Sequence, residues 1–250
     1  MERLFPRTRK TSGVNPGTEG MTLMIGVNKK TAAYYHVCKV FDEYAASLTA
    51  ACRQGCADCC TINVSLTSLE GFLIVEWLER SGRMDVLSPL RGQADRQRFI
   101  PRFTLNQAAE SLARGEAVPE ETIDPAWGAC PLLNENRCPI YAVRPFACRC
   151  MISEMQCREE GSALMAPLTV AVGHVMMQYI EHIDTGGFTG NLTDVLLFMQ
   201  SSDNRRRYRE GEPWLGGAPF VPHRSARHLL VDPRHGRALE PILAALNAGG

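Results

Sequence analysis

No excess charge of either sign marks this 250-residue chain: 27 Lys and Arg balance 27 Asp and Glu. A neutral total gives no support to a nucleic-acid backbone or an acidic membrane as the main partner. No secretory leader is legible either, because residues 1–20 carry Arg and Lys without an apolar h-region. A membrane-crossing helix needs a run of ~20 apolar residues. The most apolar stretch, 166–184, is broken by His174, Gln178, Glu181 and His182. Nucleotide and hydrolase signatures are missing as well: there is no Gly-x-Gly-x-x-Gly turn, no Gly-x4-Gly-Lys-Ser/Thr loop and no Gly-x-Ser-x-Gly elbow. These absences lead to the expectation of a cytoplasmic protein with no membrane span, no nucleic-acid partner and no conventional catalytic constellation.

What the chain does have is cysteine, ten in all. Four lie within 52–60, at Cys52, Cys56, Cys59 and Cys60, and an answering run follows at Cys130, Cys138 and Cys148. Ten is high for this length but below the density of a small disulfide scaffold. In a reducing compartment clustered thiols are ligands or redox groups rather than staples, and the vicinal pair Cys59-Cys60 is poorly suited to pairing. Thiolate is a soft donor that suits zinc, Cu(I) and iron–sulfur clusters. Cysteines two or three residues apart let one turn of backbone aim two sulfurs at one point. The two runs therefore read as halves of one metal site, with Cys52, Cys56, Cys59, Cys60, Cys130, Cys138 and Cys148 as its candidate ligands.

Spacing leaves three questions open. Seven sulfurs exceed the four that a tetrahedral zinc or a [4Fe–4S] cluster takes, so either some thiols are spare or sulfurs bridge several ions. Zinc and iron are not separated, because proline follows ligands in both kinds of turn. Cys150 and Cys157 lie just beyond the second run and are candidates for extra ligands or for redox-sensing thiols. Arg144 and Arg149 flank Cys148, where their charge would offset that of thiolates; Arg144-Pro145 reads equally as a helix end. Tyr141 reads as a packed ring or as a hydrogen-bond donor behind a ligand.

Periodicity predicts a mostly helical frame. Residues 1–24 lack any period and read as a disordered tail, with Met21 or Met24 as alternative starts. From about Lys30, Val37, Phe41, Tyr44, Leu48 and Ala51 form an amphipathic stripe. Gly55 then acts as its stop, which puts Cys52 in the last turn. Cys38 would sit ~21 Å from Cys52 on that helix and reads as a buried apolar residue. Alternation over 61–66 predicts a short extended segment, and Thr67-x-x-Glu70 is a capping box that opens a second helix. Residues 83–100 read as a linker or mobile loop, Thr104 as the cap of a third helix ending by Gly115, and 116–125 as loop. Pro167 starts the apolar helix, Asn191 caps another, 201–236 reads as loop, and a last helix spans 238–246. His36, His174, His182, His223, His228 and His235 lack ligand spacing. The run Arg205-Arg206-Arg207-Tyr208-Arg209 reads as a solvated patch rather than a nucleic-acid grip.

Taken together, Cys-x3-Cys-x2-Cys-Cys at 52–60, Cys-Pro-x-Leu at 130–133 and Cys-x-Ile-Tyr-x-x-Arg-Pro-x-x-Cys-Arg at 138–149 resemble the YkgJ cysteine-cluster family of bacterial proteins. Thr67 and Glu70 also fall where that family places a Thr and a Glu. The resemblance implies chelation of zinc or iron, with the seven cysteines at the motif positions, and covers roughly 50–150. Some relatives are flagellin lysine N-methylases, which implies a protein lysine N-methylase using S-adenosylmethionine and an iron–sulfur cluster as the alternative. The expected fold is mainly α: a small helical domain over 25–200 with irregular metal-ordered loops and few or no strands, followed by a loop-rich extension over 201–250 that ends in a helix. The implied partner is a metal ion; the chain suggests no particular protein partner.

Overall fold

The computed structural model describes residues 26–53, 55–157, 163–212, 214 and 216–248. The tail expected over 1–24 and the alternative starts Met21 and Met24 lie outside these residues.

Two apolar clusters organise the described chain. The first gathers helix α1 (Val27–Ala45), the short helix α5 (Phe146–Cys150), the apolar helix α6 (Pro167–Ile183) and the last helix α9 (Gly236–Asn247). At its centre are Val37, Phe41, Phe146, Val172, Val175, Met176, Ile180 and Leu239. The second forms around α2 (Ser68–Arg80) and α7 (Leu192–Gln200), which meet through Leu78, Val75, Val195, Leu196 and Met199. Gly71 permits that close approach, since a Cβ there would lie 2.5 Å from Val195 Cγ1. Leu132 and Ile140, each two positions after a cysteine of the second run, also bury into this cluster.

A three-stranded antiparallel sheet, β1 (Ser65–Thr67), β2 (Phe188–Asn191) and β3 (Val221–Pro222), lies between the helices. Ser65 pairs with Asn191, Leu66 with Gly190 and Thr67 with Thr189, while Thr189 also faces Val221. Helices account for 51% of the structure against 6% strand, so the mainly α class with few strands holds. Among the described residues no helix is long and apolar enough to cross a membrane.

Three buried carboxylates fasten the helix starts. Glu70 closes the expected capping box: its Oε2 accepts from Thr67 N at 2.8 Å and Thr67 Oγ1 at 2.9 Å. Its Oε1 accepts from Phe146 N, the first amide of α5, at 2.6 Å. Glu181 accepts from Leu105 N and Asn106 N, both at 2.9 Å, at the start of α4 (Leu105–Ala113). Asp184, fully buried, accepts from Leu69 N at 3.0 Å, Ser68 Oγ at 2.5 Å, Tyr208 OH at 2.6 Å and Lys30 Nζ at 3.1 Å, with His223 Nδ1 at 3.4 Å. Orphan amides at helix N-termini favour negative charge, so each carboxylate ties one helix to another.

Several sequence expectations change. Helix α1 ends at Ala45, not near Gly55. Ser47 Oγ donates to Tyr44 O at 2.6 Å, diverting the last turn, and the chain then extends so that Ala51 N reaches Ser153 O at 2.8 Å. Cys52 therefore lies in an extended connection, not a helical turn. Residues 83–100 are no free linker: α3 (Ser88–Arg91) starts with Pro89 in its first turn, and Leu87 and Leu90 are fully buried. Arg98 forks onto Asp194 at 3.0 and 2.6 Å.

The stretch 201–236 contains α8 (Ser202–Arg209), started by Ser201, and Trp214 and Phe220, which stack with Phe188 and Phe198. Of the basic run only Arg205 is buried; Arg206, Arg207 and Arg209 stay about half exposed, as a solvated patch, and pair with neighbouring carboxylates. Arg205 is buried and pairs with Glu79 and Glu76, Arg206 with Asp203 and Glu210, Arg207 with Glu212, and Arg209 with Glu76.

Candidate metal centre

The first cysteine run is irregular backbone; the second is short turns up to Cys148, which lies in α5. In the first, Cys56 N bonds Arg53 O at 3.0 Å and Cys60 N bonds Ala57 O at 2.9 Å, closing two successive turns. Gly55 supports them with φ +88°, a left-handed conformation that favours glycine. In the second, Asn134 and Arg137 pair at 3.0 and 2.8 Å around a two-residue loop in which Glu135 and Asn136 also take positive φ.

A short antiparallel ladder stitches the runs together. Cys130 N donates to Cys60 O at 3.0 Å, Ile62 N donates to Gly128 O at 2.9 Å, and Thr61 bridges Ala129. Buried Asn63 and Asn191 brace this ladder. Asn63 donates to Asp124 O and accepts from Phe99 N, and Asn191 donates to Ile62 O at 2.8 Å and Phe99 O at 3.0 Å. Residues far apart in sequence are thus backbone neighbours.

The thiols fall on two sides that meet at Cys59: burial and then the Cys59 charge raise the Cys157 thiol. On one, burial and then the charges of Cys130, Cys138, Cys59 and Glu70 push the Cys148 thiol well above its ordinary value. Burial also raises Cys130, with the backbone N–H of Leu132 and Leu133 opposing and Cys138 adding to the rise. It raises Cys138 too, opposed by Ile140 N–H and the Arg144 charge. Cys60 at its side, followed by burial, pushes the Cys59 thiol up. On the other side, Cys52 and Cys56 line a separate cavity with Cys157. Among the described residues no three Cys, His, Asp or Glu side chains yet stand close enough together to hold one ion.

Nearby residues take more definite roles than their spacing implied. Arg149 turns away from the second run to Asp42, at 2.8 and 3.1 Å. Arg144 lies 4.0 Å from the centroid of the half-exposed Tyr141 ring and donates to Tyr141 O at 3.1 Å. Cys38 is buried in the first cluster, where desolvation lifts its thiol to about 11. Cys150 is buried there too, its Sγ lying where a side chain on Gly173 would go. Both are packing residues. Glu70 was legible as a capping residue, but its grip on Phe146 N, two residues before Cys148, was not. Nor was the place of Cys157 on a cavity wall, since nothing in its spacing distinguishes it from Cys150.

Does this donor set fit zinc or iron? Its donors are all sulfur, the soft chemistry these centres use. Burial penalises free thiolates on Cys130, Cys138 and Cys148, a penalty that a bound cation offsets. In donor chemistry the residues therefore fit such a group, although among the described residues no three of them stand close enough to hold one ion.

No curated protein and no solved structure matches the chain. Residues 51–164 match a family whose description is "Putative zinc- or iron-chelating domain". That span takes in both runs and reaches past Cys150 and Cys157. Over these residues the chain is similar to the CxxCxxCC family.

Proposed function

We propose that the domain holds zinc or an iron–sulfur centre through thiolates contributed by both cysteine runs. In this reading Cys59, Cys130, Cys138 and Cys148 are its main ligands, with Cys60, Cys52 and Cys56 as the remaining candidates. The observation that carries this reading is the ladder joining Cys60 O to Cys130 N at 3.0 Å; the rise of the Cys148 thiol under burial and the charges of Cys130, Cys138 and Cys59 supports it. When bound, the metal supplies positive charge that lets buried thiols ionise, and each binding thiol gives up its proton to solvent.

The protein's own residues supply position. Leu132 and Ile140 anchor the second run in one apolar cluster, and Phe146 anchors Cys148 in the other. A metal held between them ties the two clusters together, as a structural staple or an electron-transfer centre. Anaerobic purification followed by metal and sulfide analysis tests the reading: metal lost in both Cys59→Ser and Cys148→Ser supports it, and metal retained in both refutes it. The competing reading, a protein lysine N-methylase, requires S-adenosylmethionine affinity, which calorimetric titration of the same preparation measures.

A further inference from the structure

Two guanidinium groups close on the carbonyls of one turn beside Cys138. Arg83 donates to Pro139 O at 3.2 Å, and its guanidinium carbon lies 5.3 Å from the Trp77 ring centroid. Arg144 donates to Tyr141 O at 3.1 Å and lies 4.0 Å from the centroid of the half-exposed Tyr141 ring. Arg137, exposed, comes from the adjoining 134–137 loop. Arginines elsewhere pair with acids, as Arg98, Arg149 and Arg205 do. Among the described residues none of the three around Cys138 has a carboxylate within ion-pair distance, although Asp85 and Glu135 are close in sequence. A guanidinium stacked on a ring and fixed by one carbonyl bond keeps the rest of its fork unpaired and already in place. It therefore gains a carboxylate with little further loss of side-chain freedom.

We propose that this face, built of Arg83, Arg137 and Arg144 with Trp77 and Tyr141, docks an acidic segment of a partner protein. Charge complementarity identifies the occupant. Unpaired cations gathered on a chain of zero net charge make a local positive surface, and a carboxylate matches the planar fork of arginine. Arg, Trp and Tyr are also the side chains that carry most of the binding energy at protein interfaces. A nucleic-acid backbone is the weaker fit, because phosphate binding draws on many cations at once. The one dense basic run, Arg205–Arg209, is neutralised by neighbouring acids. The apolar side of the partner segment rests on the exposed Tyr141 and Ala142. This surface goes beyond the metal centre and stands whichever metal fills it, and it brings the partner beside Cys138.

The test uses the full chain, purified anaerobically with its resident metal, and the fluorescence anisotropy of a labelled oligoglutamate peptide. Wild type is expected to bind the peptide, with affinity falling as salt is added. Arg137→Glu is expected to weaken binding about tenfold. Arg83→Gln, and Arg144→Lys, which keeps the charge but not the fork, are expected to weaken it about fivefold each. Arg237→Glu, at an exposed position on α9, is expected to bind as wild type does. Melting temperature and metal content of every variant separate a lost surface from a lost fold; should Arg144→Lys lose metal, Arg83→Gln and Arg137→Glu decide. The proposal is overturned by a peptide that does not bind, or by Arg237→Glu weakening binding as much as Arg137→Glu. Tighter binding of a single-stranded RNA oligonucleotide than of the peptide overturns it too. A wild type that binds the peptide but carries no metal would count against the metal centre alone.

Discussion

Replacing Asp184 by Ala removes a buried carboxylate that five groups from four segments converge on. Lys30 comes from α1, Ser68 and the Leu69 amide from α2, Tyr208 from α8 and His223 from β3's C-terminal side. Burial by itself would raise the Asp184 pKa, but the hydrogen bond and charge of His223, then Lys30 and Ser68, outweigh it and hold the group at about 2. Relative to its ordinary 3.8, that corresponds to roughly 2 kcal/mol of stability at neutral pH. The substitution also strands the buried Lys30 ammonium and several donors. Removing one partner of a buried ion pair costs roughly 3–5 kcal/mol, so this is the loss expected.

Its pH dependence has two arms. The Asp184 contribution is complete above the unfolded value of 3.8 and disappears as pH falls through about 2. His223 acts in the other sense. Burial opposes its charge, but Asp184 and Glu181 raise its pKa above 6.5. Its contribution is therefore present below 6.5 and is lost as pH rises through the folded value. Urea unfolding across this range, with wild type and variant at the same metal loading, reads both arms; metal-linked proton effects are common to the two proteins and cancel in the difference. A loss under about 1 kcal/mol, or pH arms that persist in the variant, would refute the reasoning.

Three further outcomes follow from other contacts. Glu70→Gln unseats the Phe146 amide and half of the capping box, so it is expected to cost about 2 kcal/mol and to weaken metal retention, read by thermal melts and dialysis against a chelator. Arg98→Met leaves Asp194 without its forked partner and is expected to lose roughly 3 kcal/mol, with hydrogen exchange increasing over 83–100. Cys38→Ala removes only a packed thiol and is expected to cost about 1 kcal/mol with metal content unchanged by elemental analysis.

Local signals proved readable where one short segment decides the outcome. Thr67 and Glu70, Thr104, Pro167 and Asn191 start helices at the expected positions because a cap's chemistry is contained within three residues. Thiol chemistry led to the expectation that the two cysteine runs meet, and the backbone ladder makes Cys60 and Cys130 neighbours. What escaped depends on partners distant in sequence. Asp184 is only the last residue of an apolar stretch until Lys30, Ser68, Tyr208 and His223 surround it. Leu87 and Leu90 look like linker residues until the second cluster buries them. Arg205–Arg209 is a basic run in sequence, yet its cations are neutralised by Glu76, Glu79, Asp203, Glu210 and Glu212. Within the centre, position along the chain did not separate Cys150, which packs on α6, from Cys157, which borders the cavity.

Metal and sulfide content of the anaerobically purified chain, measured beside Cys59→Ser, Cys148→Ser and Cys38→Ala, tests the shared centre most directly. The wild type and Cys38→Ala should carry the same metal, and each of the other two variants should lose it, because one ligand comes from each run. Equal metal content in all four proteins would contradict a centre built jointly by 52–60 and 130–148.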